Sequence, residues 1–159
     1  MKIKNSIFLL LVLFLFFSCD KKRFFDEYKS VGNSWHKDSI VSFDLPVLDS
    51  TKRYNLFVNL RANNDYPFNN LFLIVALEMP NGYTKVDTLE YQMANPDGEI
   101  LGEGFTDLKE SKLFYKENVK FRGKYKVNIK QSLRESGKIE GTKTLKGITD
   151  VGFRIEKID

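Results

Sequence analysis

The sequence predicts an all-β fold: an antiparallel β-sandwich or jelly-roll-like single domain. Three observations carry this prediction. Apolar and polar residues alternate in several runs after residue 40, turn signals separate those runs at short spacing, and no later stretch has a convincing amphipathic helix period. Short strands at such spacing are typical of two packed sheets. Fourteen Phe and seven Tyr supply apolar side chains for a core.

The chain begins with a segment that we do not assign to this domain. Lys2 and Lys4 precede eleven consecutive apolar residues, and Ser18 and Cys19 follow at once. A basic start, a short apolar run and a small residue form the order of an export signal. Such a run covers about half of a bilayer core, since a spanning helix needs about twenty residues. We therefore predict that residues 1–18 are a lipoprotein signal peptide that is removed.

Cys19 is the only cysteine in the chain. Its position resembles that in bacterial lipoproteins, whose signal is cut just before a diacylated cysteine and whose new amino terminus is then acylated. Several acyl chains, at about 0.8 kcal/mol per buried methylene, anchor a protein durably at a membrane. An ordinary secreted protein and an uncleaved anchor are the alternatives. We predict that 19–33 is the lipidated cysteine with a solvated tether, and that 34–159 is the β-sandwich domain.

The first predicted strands follow residue 40. Residues 41–47 alternate apolar and polar side chains, and Pro46 predicts a strand at a sheet edge, because proline donates no backbone hydrogen bond. Residues 54–61 alternate in the same way. The run 71–77 is apolar at every position, which predicts a central strand covered on both faces. A short buried helix is the alternative for this run, but its length and the nearby prolines favour a strand.

Turn signals separate the later strands. Asn81 and Gly82 both tolerate positive φ and predict a hairpin, with 83–93 as the returning strand. The run Asn95-Pro96-Asp97-Gly98 predicts another turn. Three more strands are predicted over 119–121, 125–129 and 151–155, which gives about eight strands in all.

The composition argues against several classes of function. The formal net charge is only +4 and falls further when Lys2 and Lys4 are removed, which argues against a nucleic-acid partner. A lone cysteine provides neither a disulfide nor a zinc cluster. Neither 98–102 nor 141–143 has the spacing of a phosphate-binding loop. We expect no cofactor, no metal and no small-molecule substrate.

Catalytic patterns are weak. His36 is the only histidine, and Ser34 and Asp38 lie two residues to either side of it. Residues two apart on a strand or loop do not define the geometry of a nucleophile, a base and an orienting acid. An ordinary surface imidazole is the simpler interpretation. No catalytic residue is predicted, and a lipid-anchored hydrolase stays an alternative.

Two acidic patterns have an equally simple explanation. Glu99 and Glu103 could form a carboxylate pair for glycoside hydrolysis. Asn95, Asp97 and Glu99 alternate like the start of a calcium loop, but the glycine and the closing glutamate of that motif are missing from their places. A hairpin turn explains this stretch better than a metal site.

Aromatic residues offer a further alternative. Trp35, Tyr66, Phe68 and Phe72 would form a platform for a glycan if they lay exposed on one sheet. Aromatic side chains in an all-β chain usually pack in the core. A lipid-anchored carbohydrate-binding β-sandwich module is therefore the alternative function, and it requires an exposed Trp35.

A resemblance to a known family emerges from the middle of the chain. Arg61 followed by Tyr66-Pro67-Phe68-Asn69-Asn70-Leu71-Phe72 resembles the gliding-motility lipoprotein family GldH, known from Bacteroidetes. Apolar residues replace a tryptophan at Ile100 and a methionine at Leu133, which leaves the expected fold unchanged. The likeness covers nearly the whole chain, because further motifs stand in the same order: Asp87-Thr88-Leu89-Glu90, Asp97-Gly98, Leu101-Gly102-x-Gly104, Phe121 with Gly123-x-Tyr125, Gln131-x-x-Arg134, and Leu145-x-Gly147-Ile148-x-Asp150-Val151-Gly152.

The resemblance implies a lipid-anchored, non-enzymatic cell-envelope component of the gliding machinery, a system associated with type IX secretion. Its implied partners are the membrane, through Cys19, and other gliding or secretion proteins of the envelope. The segment after Cys19 lacks the acidic run that resembles a surface-export signal. We therefore expect the domain to face the periplasm, with the choice between inner and outer membrane left open.

Four residues of the stretch that resembles GldH form the candidate partner contact: Tyr66, Phe68, Asn70 and Phe72. An extended loop with a proline ahead of a strand can present aromatic side chains to a partner. The competing interpretation is structural. In it, Pro67 fixes the loop, Asn70 satisfies backbone groups, and the two phenylalanines fill the core.

Overall fold

The computed structural model describes residues 20–134, 137 and 140–158. The predicted signal peptide 1–18 and Cys19 lie outside them. No helix among the described residues is long and apolar enough to cross a membrane. The strands confirm the all-β prediction and are β1 (Arg23–Ser30), β2 (Ser34–His36), β3 (Val41–Asp44), β4 (Tyr54–Ala62), β5 (Asn70–Glu78), β6 (Thr84–Gln92), β7 (Lys109–Val119), β8 (Lys126–Gln131), β9 (Thr144–Lys146) and β10 (Ile148–Lys157).

Eight of these strands form two antiparallel sheets. Sheet 1 has the order β1-β10-β4-β7, and sheet 2 has the order β3-β8-β5-β6. The short strands β2 and β9 pair with each other, with Trp35 opposite Leu145. Buried side chains from both sheets form one hydrophobic cluster, so the architecture is the predicted sandwich.

The core follows from side-chain alternation along the strands. In β4, Leu56, Val58 and Leu60 are fully buried, and the side chains between them point to the other face of sheet 1. Aromatic contacts join the two sheets. The ring of Phe153 in β10 lies 6.2 Å from the ring of Phe43 in β3, measured between centroids.

β5 is a central strand of sheet 2 as predicted, but its outer face is only partly covered. Leu71 and Leu73 are fully buried, whereas Phe72 and Ile74 are half-buried on the outer face of sheet 2. An antiparallel sheet in a sandwich turns one face to the core and the other away from it. Phe72 is therefore only partly buried, on the outer face, although it packs against the core cluster.

The segment expected to be a tether, 19–33, is part of the sandwich from residue 23 onward. Arg23–Ser30 forms the edge strand β1 and pairs with β10. The side chain of Phe25 packs against the core, and Lys29 Nζ donates to the backbone oxygen of Ser42 at 2.6 Å. This last contact connects β1 to β3, one of the two edge strands of sheet 2. Charged residues at many positions of β1 hide its strand pattern in the sequence.

The sequence analysis also missed most of β7, for which it predicted only 119–121. Charged residues interrupt the apolar pattern of this eleven-residue edge strand. Tyr115 and Lys116 donate to the carboxylate of Asp87 in β6 at 2.8 and 2.6 Å, which closes the second side of the sandwich. Burial raises the pKa of Asp87, but the two donors outweigh it and hold that pKa below its ordinary value.

Two glycines have positive φ for different reasons. Gly82 (φ 83°) lies in the predicted hairpin between β5 and β6, where its N–H donates to the oxygen of Met79 at 3.0 Å. Gly147 (φ 82°) lies between β9 and β10, and a Cβ there would stand 2.2 Å from the backbone nitrogen of Tyr66. The second position thus requires glycine for space as well as for conformation.

Candidate functional site

The described chain starts at Asp20, the residue directly after the predicted lipidation site Cys19. The backbone oxygen of Asp20 accepts a hydrogen bond from the Arg23 N–H at 3.2 Å, and its carboxylate accepts one from the Lys22 N–H at 3.3 Å. The same carboxylate pairs with the guanidinium of Arg154 in β10. The residue that follows Cys19 in the sequence is therefore in contact with β10.

Arg154 is the centre of a charge network on the outer face of sheet 1. Its Nη1 lies 3.1 Å from the carboxylate of Asp26 in β1, and its Nε donates to Glu156 at 2.7 Å. Lys112 of β7 reaches the same Glu156 oxygen at 2.5 Å. Burial alone would raise the pKa of Glu156, but the two cations hold it below its ordinary value. Glu156 therefore stays ionised at neutral pH, and the network joins three strands of sheet 1.

A cation–π contact lies beside this network. Arg61, which precedes the stretch resembling GldH, donates from Nε to Glu110 at 3.0 Å. Its guanidinium carbon lies 4.1 Å from the ring centre of Tyr28, in the range of a cation–π interaction. Arg61 thus connects β4 to both edge strands of sheet 1.

Sequence reasoning missed this network. Arg154 lies within the strand predicted over 151–155 and Glu156 follows it, and both alternate with the apolar residues, so their outward direction was visible in the sequence. Their partners could not be named, because Asp26 and Lys112 lie on strands β1 and β7, which the pattern hid. Charged residues on an internal strand are the one signal that could have pointed to the network.

The structure divides the four residues of the candidate partner contact into two pairs. Tyr66 is only 5 % exposed, its Oη donates to the Asn70 oxygen at 2.6 Å, and burial raises its pKa. The ring of Phe68 packs edge-on against it at 5.9 Å and is half-buried. Asn70 and Phe72 lie on the outer face of β5, where Asn70 donates to Glu90 at 3.0 Å. The first pair supports the loop, and the second faces outward.

The residues of the alternative functions are not arranged as those functions require. Trp35 is fully buried, and its Nε1 donates to the Ser39 oxygen at 2.9 Å, so the exposed glycan platform is wrong. His36 is exposed, and its Nδ1 accepts a hydrogen bond from the Asp38 N–H at 3.2 Å. Among the residues that the structure describes, no hydroxyl group hydrogen-bonds to His36.

The acidic stretch 95–103 forms a turn. The Gly98 N–H donates to the Asn95 oxygen at 2.9 Å, and the Asn95 N–H donates to the Glu99 oxygen at 2.9 Å. Glu103 pairs through its backbone with Glu110. In the described part of the chain, no three or more His, Cys, Asp or Glu side chains are placed to hold a metal ion.

Comparison with known proteins gives one family. The model of the family described as GldH lipoprotein matches residues 23–155. A gliding motility lipoprotein GldH from Flavobacterium johnsoniae is 77 % identical over 159 residues, which is 100 % of both chains. A gliding motility lipoprotein GldH homolog from Christiangramia forsetii is 58 % identical over 157 residues, 97 % of this chain and 96 % of that one.

Likeness to solved structures is weaker. A family GH115 4-O-methyl-α-glucuronidase superposes with a TM-score of 0.46 and 11 % identity over 89 % of this chain, which spans only 18 % of the length of that chain. A likeness of this degree carries no argument about function.

The family match runs from the start of β1 almost to the end of β10. It includes Arg154, Asp26 and Lys112 of the charge network and the stretch Tyr66 to Phe72. The chain belongs to the GldH lipoprotein family.

Proposed function

We propose that this protein is a lipid-anchored, non-enzymatic component of the cell-envelope machinery for gliding motility. The observation that carries the proposal is the 77 % identity to the F. johnsoniae gliding motility lipoprotein over the full length of both chains. The buried Trp35 and the position of His36 support a non-enzymatic role over the two alternatives.

Replacement of the F. johnsoniae GldH by this protein tests the proposal. In an F. johnsoniae strain that lacks its own GldH, production of this chain restores spreading on agar and the movement of single cells. A deletion strain that spreads normally, or that stays defective although the protein is present at wild-type levels, contradicts the proposal. Immunoblotting of the membrane fraction separates a failed function from failed production.

Cys19 is the proposed anchor. The apolar segment before it, the lone cysteine and the lipoprotein family support this assignment. Metabolic labelling with an alkyne fatty acid tests it: the wild-type protein takes up the label and the Cys19→Ala variant does not. An unlabelled wild-type protein, soluble in the periplasm or the medium, contradicts lipidation.

We further propose that the domain faces the periplasm and contacts a protein of an assembly associated with type IX secretion. Asn70 and Phe72 form the contact, with Tyr66 and Phe68 holding the loop beneath them. The outward position of Phe72 on β5 supports this choice. A photo-crosslinking amino acid at position 72 then captures one defined protein, whereas the same amino acid at the exposed position Lys146, near the end of the sandwich, does not. Equal capture from both positions contradicts the assignment.

A further inference from the structure

A basic pocket lies at the end of the sandwich where the described chain begins. It has a volume of about 440 Å³, and four of its six lining residues are cationic. They come from neighbouring strand ends, because Tyr54 pairs with Lys157 on one side and with Val119 on the other. The lining residues are Thr51, Lys52, Arg53, Lys120, Lys157 and Ile158.

The cations of this pocket outnumber the described acidic side chains near them. None of the four forms an ion pair with a carboxylate in the described part of the chain. Asp49 lies near this pocket: hydrogen bonds from the N–H and Oγ1 of Thr51, at 2.9 and 2.6 Å, and the charges of Lys52 and Lys157 lower its pKa. Arg53 uses Nη1 to donate to the Asn118 oxygen at 3.3 Å, which leaves its other N–H groups for a ligand. Asp159 follows Ile158 and lies outside the described residues.

The pocket lies close to the predicted anchor along the chain. The Lys157 N–H donates to the backbone oxygen of Lys22 at 2.9 Å. Lys22 is three residues from Cys19, a distance that an extended chain covers in about 10 to 11 Å. The chain between the pocket and the predicted anchor is therefore short, and within it the carboxylate of Asp20 pairs with Arg154 on the outer face of sheet 1.

Apolar side chains at this end fit a membrane surface as well. Phe24 and Ile158 are 37 % and 39 % exposed. Lys157 Nζ lies 5.0 Å from the ring centre of Phe24, so an exposed aromatic ring borders the cationic pocket. Basic side chains mixed with exposed apolar ones are typical of surfaces that rest on lipid headgroups. Lys21, Lys22 and Arg23 add three positive charges beside them.

We propose that this pocket binds the anionic headgroup of a phospholipid in the membrane that holds Cys19. The inference rests on the proposed lipid anchor, which brings the pocket to the bilayer surface. Phosphate oxygens accept hydrogen bonds from the lysines and the arginine, and the acyl chains of the bound lipid stay in the bilayer beside Phe24. The domain then stands on the membrane by this end, with the outer face of β5 free for a protein partner.

Flotation with lipid vesicles tests the headgroup site without the anchor. The chain from residue 20 onward contains every described strand and the whole described core, and circular dichroism verifies its fold. We expect it to bind vesicles of phosphatidylcholine with 30 % phosphatidylglycerol about tenfold or more tightly than pure phosphatidylcholine vesicles, and to lose this preference in high salt. The fourfold variant Lys52→Gln, Arg53→Gln, Lys120→Gln, Lys157→Gln loses the preference.

A matched variant at the opposite end of the sandwich is the control. Lys37→Gln, Arg134→Gln, Lys143→Gln and Lys146→Gln make the same change in charge and keep the preference. Equal binding to both kinds of vesicle, no binding to either, or equal losses in the two variants overturns the headgroup site. Fatty-acid labelling of Cys19 in cells is read separately. Labelled protein that does not bind vesicles contradicts only the headgroup site. Vesicle binding by a protein that takes up no label contradicts only the lipidation of Cys19.

Discussion

The carboxylate of Asp20 pairs with the guanidinium of Arg154, so the residue that follows Cys19 is joined to an internal strand of sheet 1. The segment expected to hold the domain away from the membrane is instead mostly an edge strand of the fold. A lipid attached at Cys19 would therefore restrict how the domain is oriented, which a long flexible linker would not do.

Replacement of Arg154 by Met destabilises the protein. Its side chain is only 14 % exposed, and its removal leaves Asp26 and Glu156 with fewer positive partners. We expect a loss of about 2 kcal/mol in the free energy of unfolding, below the range for fully buried pairs because some solvent reaches the network. Urea denaturation measures it. The control Asp20→Asn, which alters the more exposed partner, leaves the midpoint nearly unchanged. Equal losses in both variants contradict this ranking.

Glu156 makes stability depend on pH in the acid range. Its pKa is lowered in the folded protein, so its contribution is present above the ordinary glutamate pKa and is lost as the pH falls through the folded value. We expect Glu156→Gln to be less stable than wild type at pH 7, and the two midpoints to converge as the pH falls below about 4. Urea melts at several pH values give the curve. A constant difference at every pH contradicts the assignment.

Gly147→Ala tests the close approach to Tyr66. The added Cβ would lie 2.2 Å from a backbone nitrogen, which neither segment can relieve by rotating a side chain. We expect a loss of about 2 kcal/mol or more in unfolding free energy. Gly82→Ala has almost the same φ but nothing within 4 Å, so it isolates the conformational cost at about 1 kcal/mol. Similar losses in the two variants mean that φ, not space, explains the glycine.

The sandwich was predictable because alternation is a local pattern. The strands over 54–61 and 151–155 appear at β4 and β10, since their inward residues are uniformly apolar. β1 and most of β7 were not predicted as strands because charged residues at many of their positions interrupt the alternation. An apolar run such as 71–77 does not reveal on its own whether one or both faces are covered.

The candidate sites depend on contacts between distant parts of the chain. The family resemblance located the stretch Tyr66 to Phe72, but only the register of β5 shows which side chains face outward. Asp20 and Arg154 are 134 positions apart, and no sequence spacing predicts their contact. The same holds for the basic pocket, whose lysines come from three separate connections and strand ends.

Phe72 and Leu73 are neighbours with opposite roles, and a pair of variants separates contact from stability. Leu73 is fully buried, so Leu73→Ala lowers the unfolding free energy by about 2 to 5 kcal/mol. Phe72→Ala removes a half-buried side chain of the outer face and costs about 1 to 2 kcal/mol. In the F. johnsoniae exchange strain, we expect Phe72→Ala to reduce spreading at normal protein levels, because a partner loses an aromatic anchor. Leu73→Ala reduces spreading only as far as it reduces the amount of protein. Normal spreading with Phe72→Ala means that the outer face of β5 is not the contact.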